Sequence, residues 1–104
     1  MKDDFLDNLD AMIERYSVWV DYIVRALTFH PRGLRRGDVL QLIRADAFVR
    51  GRTLPRSYAD TVQAVFNRNN AQSALFKGDP SKALFCLAEG KRGIWKLSDQ
   101  AMAR

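Results

Sequence analysis

A chain of 104 residues, 47% hydrophobic and 28% charged, has room for a single domain with a modest core and is too apolar for an unfolded one. No apolar run approaches the roughly 18 to 20 residues that a bilayer-spanning helix needs, and the acidic start "MKDDFLDNLD" is unlike a signal peptide. One cysteine, Cys86, has no internal disulfide partner, so a reducing cytoplasm is expected.

The net charge of +5 is unevenly spread. Residues 1–14 hold Asp3, Asp4, Asp7, Asp10 and Glu14 against Lys2, a net of −4, which leaves +9 for the remainder. The cations gather in "PRGLRR" (Arg32, Arg35, Arg36), "VRGRTLPR" (Arg50, Arg52, Arg56) and "GKRGIWK" (Lys91, Arg92, Lys96). A positive body of this kind is the electrostatic footprint of a nucleic-acid binder. The plainer alternative is a solvated basic surface without a partner.

In chain order, residues 1–15 read as an acidic amphipathic helix or extension, with Phe5, Leu9, Met12 and Ile13 at helical spacing. Tyr16, Trp19, Val20, Ile23, Ala26, Leu27 and His30 then recur at threes and fours, predicting a helix that Pro31 and Gly33 end. Val18, Tyr22 and Phe29 fall on its far side. With Phe5, Leu9 and Met12 they are candidates for a partner surface, and a homodimer is one way to cover them. A short extended piece is expected around Leu34. "RGDVLQLIRADAF" predicts a second helix with Val39, Leu40, Ile43 and Ala47 inward and no strong cap at its start. "VRGRTLP" reads as a connection, since Gly51 and Pro55 oppose regular structure.

Ser57 and Asp60 nearly match a capping box and open a third helix, with Tyr58, Val62, Val65, Phe66 and Asn69 on one side and an end at Asn69–Asn70. "DPSK" is a turn or a single helical turn. After it the period becomes two: "KALFCLAEG" and "GIWKLSD" predict strands joined at residues 89–93, and residues 99–104 read as a tail.

This order, helix, extended piece, helix, helix, strand, strand, is that of a winged helix-turn-helix: mainly α with a small β-hairpin, a three-helix core plus wing over residues 16–98, and an additional N-terminal helix. In such a domain the second helix of the pair enters the major groove. Gln63, Ala64, Asn67 and Arg68 would then be the base-reading candidates, since amides pair with adenine, arginine with guanine, and a methyl with thymine. Arg35, Arg36, Arg52, Arg56, Ser57, Lys91, Arg92 and Lys96 would be backbone candidates, with Ser57 better suited to capping. Asp60 must read a cytosine amine or stay clear of the duplex.

The catalytic search finds little. His30 sits next to Pro31 on the apolar side of its helix, which suits a core or cap histidine, and Cys86 has no companion for a metal site. No glycine-rich phosphate loop or carboxylate pair is present. No enzymatic activity, cofactor, metal or small-molecule substrate is expected.

The stretches "SVWVDYIVRAL", "GLRRGDVLQLI", "ADTVQAVF", "LF" and "GIWKLS" resemble HARE-type and related winged helix domains, with Trp19, Val39, Leu40, Thr61, Val62, Gly93, Trp95 and Leu97 at the corresponding places over roughly residues 17–98. The resemblance implies double-stranded DNA as partner. A small bacterial or phage transcriptional regulator, cytoplasmic and nucleoid-associated, is the expectation; a winged-helix adaptor that binds protein through the exposed apolar face of its first helix is the alternative.

Overall fold

The structure, a computed structural model, describes residues 18–88 and 93–103. Four helices and a three-stranded antiparallel sheet make up a mainly helical domain among these residues. Helix α1, described over residues 18–28, buries Tyr22, Ile23, Ala26 and Leu27, with Trp19, Val20 and Val24 packed against the same core. Two residues of this helix depart from expectation. Tyr22, read as a far-side residue open to a partner, is 2% exposed. It lies at the margin of the apolar stripe, where the Trp19 ring packs against it (5.7 Å between centroids) and the Arg50 guanidinium covers it at 5.8 Å. His30, expected in the core or as a cap, is not in the core: the helix stops at residue 28, and His30 lies exposed just past it with its N–H donated to the Leu27 carbonyl.

Strand β1, Leu34–Arg35, is entered through Gly33. At φ +92° this residue holds a conformation L side chains rarely adopt, and a Cβ on it would meet the Trp95 carbonyl oxygen at 2.6 Å. Only glycine allows the chain to turn this close to the sheet. Helix α2, Arg36–Val49, follows without a side-chain cap, as expected, and buries Val39, Ile43 and Ala47. Its end is a Schellman motif: Gly51, at φ +68°, donates to the Phe48 carbonyl and Arg52 to the Ala47 carbonyl. Arg25 and Asp46 pair at 3.1 Å, and Asp21 and Arg50 at 3.6 Å, so α1 and α2 run antiparallel.

Helix α3, Tyr58–Arg68, buries Val62, Val65 and Phe66. The capping box expected at its start is not made. The Ser57 side chain caps nothing; its carbonyl instead accepts from the Asp60 and Thr61 N–H groups. With φ −86° and ψ 16°, Ser57 lacks the extended backbone that an N-cap hydroxyl needs to reach forward. The helix ends at Asn69 as expected, and the Asn69 carbonyl then takes the N–H groups of Leu84 and Phe85, tying α3 to the sheet.

Pro80–Lys82 forms a single 3-10 turn, capped by Asp79, whose carboxylate accepts from the Ser81 N–H at 2.9 Å. Strand β2, Phe85–Leu87, and strand β3, Ile94–Leu97, are antiparallel, and β3 is central in the order β1-β3-β2. Phe66 from α3 stacks on both Trp95 (3.9 Å) and Phe85 (5.4 Å), so the hairpin and α3 share one aromatic core. The stretch read as a tail folds: α4, Asp99–Met102, is capped by the Ser98 hydroxyl. That buried hydroxyl also donates to the Ala83 carbonyl at 2.6 Å. No described helix is long and apolar enough to cross a membrane.

Candidate nucleic-acid interface

The side of α3 away from the core carries Gln63, Ala64 and Asn67, all half-buried, with Asp60 exposed in the first turn and Arg68 exposed in the last. Gln63 and Asn67 are not isolated wet side chains. Arg36 Nε donates to Gln63 Oε1 at 2.9 Å, and Gln63 Nε2 donates to Asn67 Oδ1 at 3.1 Å. The chain of bonds crosses from the first residue of α2 to the face of α3 and sets which way each amide faces. Among the described residues, the Asn67 Nδ2 amide and the outer guanidinium nitrogens of Arg36 have no further hydrogen-bond partner.

Around α3 the arginines divide by partner. Arg25 and Arg50 are neutralised by Asp46 and Asp21, and Lys96 by Asp99 at 3.8 Å. Arg32, Arg35, Arg36, Arg44, Arg52 and Arg56 form no ion pair with the described residues. Arg52 and Arg56 join Arg44 along an open groove of about 380 Å³ at the entry to α3, floored by Ala47, Phe48, Leu54, Pro55 and Tyr58. Ser57 stands exposed beside it. Arg35, exposed on β1, is registered against Ile94, next to the end of the β2–β3 turn. Lys91 and Arg92 lie outside the described residues; on either side of them the Ala88 N–H donates to the Ile94 carbonyl.

Lys96 is set apart from this group. With Arg32 it lines a second groove between the sheet and residues 70–72, on the side of β3 opposite the buried Trp95 and Leu97. Of the partner-surface candidates, Val18 and Phe29 are exposed, Tyr22 is buried, and Phe5, Leu9 and Met12 lie outside the described residues. Two contributors escape sequence reading. Arg44 enters the groove through a spacing of four with Phe48 and Arg52, a pattern that can be seen in the chain once that groove is known. The Arg36–Gln63 bond joins positions 27 residues apart and has no local signal.

Cys86 is half-buried, its thiol directed at the Leu97 carbonyl (3.8 Å), and burial pushes its pKa up, against a smaller lowering from Lys96. Among the described residues no group of three His, Cys, Asp or Glu is placed to hold a metal ion. Comparison with protein families, curated proteins and solved structures finds no match to the chain.

Proposed function

We propose that this chain is a winged helix-turn-helix protein that binds double-stranded DNA, with α3 in the major groove and the 89–93 turn laid along the adjacent backbone. The observation that carries the reading is the bonded ladder from Arg36 through Gln63 to Asn67. It joins a cation with no carboxylate partner among the described residues to two amides on the outward side of a helix, the combination that contacts phosphate and base edge together. Arg52 and Arg56 at the entry to α3, and Arg35 beside the hairpin end, flank that ladder with further charge. The resemblance to HARE-type domains points the same way, and a role as a small transcriptional regulator at the nucleoid follows from it.

Fluorescence anisotropy with a random duplex at two salt concentrations tests the proposal. Salt-sensitive micromolar binding is expected. Charge reversal of Lys91 and Arg92 should weaken it uniformly across sequences, while Asn67→Ala should change preference among them. An absence of binding at low salt defeats the reading.

In that event the adaptor alternative gains. Phe29 is 84% exposed and shares an open groove with Leu42 and Ala26 on the α1–α2 side, bordered by His30 and the Arg25–Asp46 pair. The burial of Tyr22 narrows the surface first assigned to that role.

A further inference from the structure

We infer that the acidic N-terminal segment, residues 1–14, docks in the groove at the entry to α3 and competes there with DNA; the regulatory part of this inference rests on the function proposed above. Two observations converge. The groove combines three arginines without carboxylate partners among the described residues, Arg44, Arg52 and Arg56, with an apolar floor. Phe48, which lines the groove, is 85% exposed, and the adjacent Val49 83% exposed. The surface therefore asks for an occupant that is apolar and negatively charged at once.

The chain carries such a segment. Residues 1–14 hold a net charge of −4 and interleave their acids with Phe5, Leu9, Met12 and Ile13. Fourteen residues span about 20 Å if fully helical and more if extended. Tethered within the same chain, the segment faces the arginines at a high effective concentration. A carboxylate on Arg52 or Arg56 occupies the charge that a DNA phosphate would use.

The test uses the full chain. With Cys86→Ser to leave one thiol, Asn8→Cys carries a nitroxide spin label, and amide signals are read by NMR. Broadening at Phe48, Arg52 and Leu54 within one chain, lost in a Phe5→Ser, Leu9→Ser, Met12→Ser variant, is the expected result. Broadening of these amides only when labelled and isotope-enriched chains are mixed overturns it in favour of a second copy, and broadening elsewhere, or none, overturns it outright. The triple serine variant keeps the net charge at +5, so any gain in duplex affinity is not a bulk charge effect. A gain of about fivefold or more is expected, the lower part of the usual range for coupled sites. Groove contact with unchanged duplex affinity overturns the competition. Groove contact in a chain that binds no duplex at all leaves the docking standing and defeats the DNA-binding reading instead.

Discussion

Gly33 shows how much one residue decides. Its positive φ and its approach to the Trp95 carbonyl are separate demands, and alanine fails both. Gly33→Ala should cost about 2 kcal/mol or more, in the range of a forced left-handed residue with a clash added, readable as a fall in the urea midpoint without a change of slope. Cys86 offers a pH-dependent check. Its thiol is raised mainly by burial, so the neutral form is the one the fold prefers. The stability tied to that preference is complete below the unfolded thiol's pKa and is lost as pH rises through the higher folded value. Alkylation by iodoacetamide should accordingly set in at higher pH for the folded chain than for the chain in urea; coincident profiles would contradict the assignment. Residue identity alone revealed neither feature. Gly33 was legible as a helix stop, but its contact with a strand more than 60 positions later was not.

At the scale of elements, periodicity carried most of the information. The stripes Val39, Ile43, Ala47 and Val62, Val65, Phe66 are buried as their spacing implies, since a helix has one inward side and its apolar residues must share it. What failed were termini. The Ser57 box was not made because the backbone around it does not extend, and α4 was missed because four residues are too few to show a period. Its determinant is Ser98, which caps α4 and donates to the Ala83 carbonyl from a buried site. Ser98→Ala removes both bonds and should lower stability by about 1 to 2 kcal/mol, the cost of a lost cap and of one of the two hydrogen bonds the Ala83 carbonyl accepts, Gln100 Nε2 supplying the other at 3.0 Å. Thermal denaturation would measure it, and a loss below a few tenths of a kcal/mol would mean that α4 is held by its packing and not by the cap.

For the molecule as a whole, charge placement is the property that composition foreshadows and only coordinates can distribute. The clusters in the chain mark where cations lie in sequence, yet Arg50 also meets Asp21 from α1 and Lys96 lies in a separate groove, while Arg44, outside any cluster, joins Arg52 and Arg56. Ion pairs between distant positions leave no trace in a local window, which is why the candidate site was readable residue by residue and not as a surface. If Arg35, Arg36, Arg52, Arg56, Lys91 and Arg92 all meet phosphate, duplex affinity should fall about a thousandfold between 50 and 200 mM salt, as expected for six displaced counterions. Each alanine substitution in that set should make the logarithmic slope shallower by about 0.9. A slope unaffected by Arg52→Ala or Arg56→Ala would remove the groove from the contact surface.

The position of β3 between β1 and β2 has a consequence for synthesis. Within the sheet the two outer strands are joined through β3, and Trp95, which completes the stack on Phe66, arrives with it. A nascent chain that has cleared the ribosome through α3 has a two-residue β1 with nothing to pair to and an uncovered Phe66 ring. Closure must wait until Leu97 leaves the exit tunnel, and chaperones would meet the aromatic surface first.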